Sequence, residues 1–417
     1  MADKRIYLCL AHMSEAGLEQ KYIKEAFDTN WVVPLGPNVN GFEEDLKSFV
    51  GQDKEVVALA SGTSAVHLAL IACGVKPGDE VIVQSFTFCA SSHPITYLGA
   101  TPVFVDSEKD TWNMDPELME EAIKDRIAKT GKKPKAIVPV ALYGMPYKID
   151  RIMEIANKYE IPVIEDAAEG FGSRYNGQVL GTFGRYGVLS FNGNKMITTS
   201  GGGALITPDK DSWREIMMYA TQYRESYPYY QHEKIGFNYR MSNICAGIGR
   251  GQMTVVNDHI AHHKHVQALY EELLKEVAGV HVHAQPTTGE YDSNYWLCTI
   301  TIDPDVKVKG QENAYKEIVT GAVGGAAGVI HAASSATTDC QPNDNVEALR
   351  VALDKANIEA RPVWKPMHRQ PCYKDAPAYV NGVSEAIFKV GMCLPAGPCV
   401  SDDDVKYIVE NIKANIQ

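Results

Sequence analysis

The sequence contains no run of about twenty apolar residues, the length a membrane-crossing helix requires. Nor does it contain a C-x-x-C pair. Its nine cysteines (Cys9, Cys73, Cys89, Cys245, Cys298, Cys340, Cys372, Cys393 and Cys399) are odd in number and widely spaced, a pattern of reduced thiols rather than of a disulfide or zinc framework. No Gly-Lys-Ser/Thr stands at P-loop spacing, and no internal repeat, helix-turn-helix or basic tail is visible. Positive charge is scarce: 40 Lys and Arg face 52 Asp and Glu, for a net charge of −12. Such a chain is poorly suited to a nucleic-acid backbone or an anionic membrane, so an anionic ligand must be small and held by a local site. The opening MADKRIYLCLAHMSEAG lacks a full apolar signal core and a small-residue cleavage site, which gives a cytoplasmic address as the expectation.

What is present describes a globular protein. The chain has 417 residues, 45% of them apolar and 22% charged, enough for two or three domains with a sizeable core. From about residue 55 to 206, short β-rich runs alternate with helical patterns, the form of a parallel sheet covered by helices. The runs are 56–60, 80–84, 101–106, 135–142, 161–167, 187–191 and 204–207. A helix is expected over 64–73, with Thr63 or Ser64 as N-cap and Gly74 as its stop. Asn176-Gly177 reads as a type I′ hairpin turn. Residues 243–275 read as one long helix, 296–302 as a strand, and 345–356 and 402–415 as helices, the last with Ser401 and Asp404 as a capping box. The small, polar segment 321–345 is expected to be a poorly ordered insertion.

Three features carry chemistry. Ser61-Gly62-Thr63-Ser64 follows a strand and opens a helix, where backbone N–H groups and hydroxyls suit a phosphate monoester, although plain helix capping explains the same residues. Glu165-Asp166 ends the apolar run IPVI, and ligands of open α/β sheets bind outside the carboxyl ends of strands. A carboxylate there is placed to keep a heteroaromatic nitrogen protonated, or to cap the next helix. In SFNGNKMITTSGGG (190–203), Lys195 lies between an apolar strand and three glycines, with few other charges nearby, so its amine is available for a Schiff base; a lysine in a glycine-rich loop is otherwise merely solvated.

The motifs SGTSAVHLAL, EDAAEGFGS, SFNGNKMITTSGGG and GFNYRMSN occur in the order and spacing of the DegT/DnrJ/EryC1/StrS sugar aminotransferases, and the chain resembles that family over nearly its whole length. The resemblance implies the α/β aspartate-aminotransferase architecture (fold type I) with pyridoxal 5′-phosphate as cofactor. It implies a large cofactor domain over 1–255 and a smaller α/β domain over 256–417. By the same resemblance Lys195 forms the Schiff base and carries the proton, Asp166 partners the pyridine nitrogen, and Glu169 lies near the phenolic oxygen. Phe88 stacks on the ring. Gly62, Thr63, Ser64 and Ser190 cradle the phosphate, and Asn238 reaches the cofactor of a second subunit in a homodimer. A lysine at 195, where the family's dehydratases carry histidine, favours transamination from an amino-acid donor, glutamate, to a keto sugar.

The TTSGGG form, RPVWKPMH (361–368) and the N-terminal stretch resemble the bacillosamine-type branch, which aminates C4 of a UDP-linked 4-keto-6-deoxy-N-acetylhexosamine. Arg240, Arg361, Lys365 and His368 are the candidate contacts to its pyrophosphate. The alternatives are a GDP- or dTDP-4-keto sugar as acceptor, or a catalytically silent sensor or scaffold on the same fold. No metal is expected. His259 and His263 share a helix face, but the cluster with His262 and His265 has no matching acid or cysteine set and reads as a solvated linker helix. The aromatic stretch 223–232 reads as a core or interface patch, or as a loop bordering the site.

Overall fold

The computed structural model describes residues 4–51, 53–315 and 340–417, so most of the insertion expected at 321–345 lies outside the described residues. A seven-stranded sheet organises the first half of the chain. Its order is Glu55–Leu59, Gly203–Thr207, Tyr186–Ser190, Ile164–Asp166, Ala136–Val138, Glu80–Gln84 and Thr101–Val105. Only Gly203–Thr207 runs against its neighbours. At the centre of the sheet, the strands Ala136–Val138 and Ile164–Asp166 are shorter than the apolar runs that announce them. Pro139 and Pro162 have no N–H to give, so the pairing there reduces to Ile137 N to Pro162 O (3.0 Å), Asp166 N to Pro139 O (2.9 Å) and Ala141 N to Asp166 O (3.0 Å).

Both faces of this sheet are apolar because helices cover both. Val56, Ala58, Ile82, Val103 and Ile137 point into one core with Phe42, Leu46, Met119, Ile152 and Ile155 from the helices Pro37–Val50, Pro116–Thr130 and Ile149–Lys158. The alternate residues Val57, Leu59, Val81, Val83 and Val138 point into the other, against Ala65, Leu68 and Ala69 of the helix Gly62–Ala72. That helix starts earlier than expected. Ser61, with extended backbone, is the N-cap, and its Oγ accepts from Ser64 N at 3.0 Å.

The second core lies under a small antiparallel sheet ordered Val280–Val282, Cys298–Ile302, Gly391–Leu394 and Arg361–Pro362. Helices Val256–Leu274, Asp344–Lys355 and Asp402–Asn415 pack on it through Tyr270, Leu349, Leu353 and Ile408. The expected capping box at Ser401 and Asp404 is formed. The single helix expected over 243–275 is two, Asn243–Met253 and Val256–Leu274, because Val255 leaves helical geometry (φ −117°, ψ 4°) and Thr254 Oγ1 turns back on Gly251 O.

The chain crosses between the two cores more than once. Ile6 joins the small core and its N–H donates to Asn357 O (2.8 Å). Ala378–Tyr379 adds a parallel strand beside Thr101–Val105, and Tyr291–Asp292 pairs with Arg174–Tyr175 of the expected Asn176-Gly177 hairpin. Among the described residues no helix is long and apolar enough to cross a membrane.

Candidate active site

Because six strands share one direction, their carboxyl ends meet at one edge of the sheet, and the reversed strand begins there with Gly203. This brings Ser61-Gly62-Thr63, Asp166, Ser190 and Gly201-Gly202 to the rim of one cavity of about 340 Å³. Lys195, Glu169, Phe88 and Ser91 also line it, with Trp296 and Trp364 as further walls. A second chamber of about 590 Å³ adjoins it across Phe88, Asn192, Asn194, Trp296 and Trp364, and carries Tyr7, Cys9, Tyr143 and Arg361.

The phosphate end is built by close backbone approach. A Cβ on Gly203 would stand 2.4 Å from Gly62 N, which leaves no room for a side chain there, and one on Gly62 would stand 3.1 Å from Ser190 Cβ, a tight contact. With Ser61 as the cap, Thr63 and Ser190 face the cavity. Ser64 does not. Its N–H donates to Ser61 Oγ and its hydroxyl lies 2.8 Å from the same atom, which commits it to capping the helix instead of the expected ligand contact.

Asp166 is buried in the cavity floor. Ser91 Oγ donates to its Oδ2 at 2.6 Å and Ala168 N to its Oδ1 at 3.1 Å, while Thr87 and Ser91 hydroxyls lie 2.9 Å apart behind it. Burial pushes the Asp166 carboxyl up, and the Ser91 and Ala168 hydrogen bonds pull it back. A carboxylate kept in so dry a place gains from an opposite charge in the cavity, which a protonated ring nitrogen provides. Glu169 faces Lys195: its Oε1 is 3.4 Å from Lys195 Nζ, and its Oε2 accepts from Tyr143 N at 2.7 Å. Burial raises its carboxyl against the pull of Lys195. The Lys195 ammonium also lies over Trp296, 3.9 Å from the ring centroid. Phe88, about half exposed, stands at the mouth with its ring centroid 5.3 Å from that of Trp364. An anion cradle, a buried acid, a lysine amine and an exposed aromatic face around one cavity fit pyridoxal phosphate.

The four pyrophosphate candidates separate. Arg361 lines the outer chamber, where Glu359 Oε1 accepts from its NH2 at 2.7 Å. Arg240 is instead a buried structural residue: it pairs with Glu43 and donates to Ala58 O (3.0 Å), fastening the helix Pro37–Val50 to the strand Glu55–Leu59. His368 is also withdrawn, its Nδ1 2.7 Å from Ser85 Oγ and its Nε2 3.1 Å from Glu385 Oε1. Lys365 lines neither chamber, and Asn238 is exposed outside both. The aromatic stretch is exposed at Tyr227, Tyr229 and Tyr230 and borders neither chamber.

The histidines are not a solvated face. His259 and His263 are buried, and their Nδ1 atoms lie 3.2 Å from Met196 O and 3.1 Å from Tyr295 O, while His265 pairs with Asp402. Among the described residues no group of three or more His, Cys, Asp or Glu is arranged to hold a metal ion. Sequence reasoning missed Ser91, three residues after Phe88, and Tyr143 and Trp296, which come from distant segments and carry no local motif.

Known proteins give this geometry a context. Residues 14–413 match the DegT/DnrJ/EryC1/StrS aminotransferase family. The chain is 42% identical over 411 residues to EpsN of Bacillus subtilis (strain 168), a protein named as a candidate pyridoxal phosphate-dependent aminotransferase, covering 98% of this chain and 95% of that one. It is 33% identical over 408 residues to a GDP-perosamine synthase of Escherichia coli O157:H7, covering 97% and 98%. The crystal structure of a DegT DnrJ EryC1 StrS aminotransferase from Brucella abortus superposes with a TM-score of 0.80 at 26% identity, over 96% of this chain and 95% of the other. The protein is thus an enzyme that depends on pyridoxal phosphate, and the chain belongs to the DegT/DnrJ/EryC1/StrS aminotransferase family.

Proposed function

We propose that this aminotransferase moves an amino group from L-glutamate to C4 of a UDP-linked 4-keto-6-deoxy-N-acetylhexosamine. The reading is carried by the convergence of Lys195, Asp166, Glu169 and the Gly62-Thr63 helix start on one cavity that opens into a chamber bearing Arg361. Pyridoxal phosphate, when bound, supplies the electron sink that lets an amine pass between donor and keto sugar.

Around it, Gly62, Thr63 and Ser190 hold the phosphate at the helix N-terminus. Asp166 keeps the ring nitrogen protonated, and Glu169 faces the phenolic oxygen. Phe88 covers one ring face. Lys195 would hold the cofactor through its amine, and the same amine would serve as the base that moves a proton in the cavity. Arg361 offers its guanidinium to the pyrophosphate. Gly201, beside which a Cβ would meet nothing within 4 Å, leaves room at the sugar. Asn238, outside the cavity of its own chain, serves the site of a second copy, which makes the enzyme a homodimer with shared sites. In this reading the enzyme acts in the cytoplasm, as its nine cysteines outside any disulfide suit, and divides into domains at 1–255 and 256–417 apart from the crossing segments.

A GDP-linked keto sugar is the second reading, favoured by the similarity to GDP-perosamine synthase. The purified enzyme is expected to be yellow and to bleach with glutamate. Exposing the amino-loaded enzyme to UDP-, GDP- and dTDP-4-keto sugars and watching the colour return tests the acceptor. Recovery with the GDP or dTDP sugar alone refutes the UDP assignment, and no bleaching with any amino donor refutes glutamate-type transamination.

A further inference from the structure

Transamination requires the active-site lysine to leave the cofactor and later return, so its amine needs a place to stay in between. The structure contains such a place. Lys195 Nζ lies over the Trp296 ring, 3.9 Å from its centroid, and 3.4 Å from Glu169 Oε1. Trp296 is 2% exposed, and its Nε1 donates to the carbonyl of Asn194, the residue before the lysine, at 2.6 Å.

Both walls hang from one buried amide. Asn294 Oδ1 accepts from Trp296 N at 2.8 Å, and Asn294 Nδ2 donates to Glu169 O at 3.0 Å and Phe171 O at 2.9 Å. Asn294 N in turn donates to Ser173 Oγ at 2.9 Å. A Cβ on Gly144 would come within 1.8 Å of Asn294 Oδ1, so the amide is also wedged from below. The segment following the long helix of the second core is thereby joined to the loop that carries Glu169, so the backbones that bear the indole and the carboxylate are held together by hydrogen bonds.

We propose that Trp296 and Glu169 form a berth for the amine of Lys195 while it is free of the cofactor, with Trp296 as a positioning residue for the proton transfers that Lys195 performs. The inference rests on the assignment of Lys195 as the cofactor lysine. Lys195 carries the proton in both directions; the berth exchanges none and sets where the amine waits. An indole face holding a desolvated ammonium accounts for an effect of about tenfold on the step it serves.

The test uses the full-length enzyme loaded with pyridoxamine 5′-phosphate, its lysines carrying ¹³C-methyl groups, and the Lys195 signal assigned by its loss in Lys195→Arg. An upfield ring-current displacement of that signal is expected, lost in Trp296→Leu and largely kept in Trp296→Phe. In unmethylated enzyme loaded with pyridoxal 5′-phosphate, the single-turnover rate with glutamate is expected to fall about tenfold in Trp296→Leu and to recover in Trp296→Phe, with KM for both substrates unchanged. An undisplaced Lys195 signal in the wild-type enzyme overturns the proposal even if both variants fail to fold. So does an equal rate loss in the two variants, or a loss confined to KM. Pyridoxal phosphate that borohydride still fixes covalently to the chain in Lys195→Arg overturns the underlying lysine assignment instead.

Discussion

Replacing Ser91 with alanine isolates the support beneath Asp166. In the wild-type chain Asp166 Oδ2 has the Ser91 hydroxyl at 2.6 Å and Oδ1 has the Ala168 N–H at 3.1 Å. Ser91→Ala removes the first and leaves a buried oxygen with no donor. A hydrogen bond to a charged group contributes about 1.5–3 kcal/mol, or about one to two pKa units on the carboxylate. Burial already pushes this carboxyl up, so the loss adds to an existing displacement in the same direction. The ring nitrogen is held by the ionised form, and cofactor affinity is therefore expected to fall by about tenfold to a hundredfold at neutral pH. The lower pH limit of binding should rise by about one to two units, since a raised carboxyl pKa keeps the neutral form to higher pH. Titrating the cofactor-free protein with pyridoxal phosphate between pH 5 and 9, followed by visible absorbance, reads both quantities. Ser91→Thr, which keeps the hydroxyl, should restore them. An unchanged dissociation constant and pH limit in Ser91→Ala would refute the view that Ser91 tunes Asp166.

Arg240→Ala and Arg361→Ala should behave oppositely. The first strands Glu43 without its partner and should cost about 3–5 kcal/mol in denaturant unfolding with little change in KM, while the second, whose guanidinium pairs with Glu359 but is 42% exposed, should raise KM for the nucleotide sugar about tenfold at a smaller cost in stability; a KM effect in Arg240→Ala alone would reverse the assignment. Gly203→Ala drives a Cβ to 2.4 Å from both Gly62 N and Ser61 C, so cofactor binding should be lost even where some fold survives; pyridoxal phosphate bound at wild-type affinity would contradict the close approach. Burial holds His263 and His283 down, to about 3 and about 4, against an ordinary 6.5. The unfolded chain protonates them first, so their effect on stability should be absent above about pH 7 and grow as pH falls below 6.5 toward 4. Urea midpoints at pH 7.5 and 5.5 measure the drop, and His283→Phe, which keeps the stack on Trp112, should shrink it; an undiminished drop would clear His283 of the effect.

The parts of the site that the sequence makes legible are those with local causes. A serine that caps a helix, an acid at a strand end and a lysine before three glycines each sit beside the residues that explain them. Even there, long-range geometry decides details: Ser61 takes the cap, and Ser64 is drawn out of the ligand set. Strand lengths around Pro139 and Pro162 follow from missing N–H groups, visible in sequence only once the partner strand is known. Arg240 and His368 look like free cations in a list of residues, and only tertiary contact reveals Glu43, Ser85 and Glu385 beside them. Trp296 and Asn294 lie about a hundred residues beyond Lys195 in sequence, and no spacing rule connects them to it.

The reversed strand has a mechanical consequence. Since Tyr186–Ser190 and Gly203–Thr207 are antiparallel neighbours, the segment between them is a hairpin tip sewn shut at both ends by Phe191 N to Gly202 O and Thr199 N to Phe191 O, each 2.9 Å. A helical crossover would have placed the lysine on a long tether. Here the tip is anchored in two fully buried strands of the sheet, so the moving part of the machine is reduced to the four methylene groups of one side chain swinging about a fixed pivot.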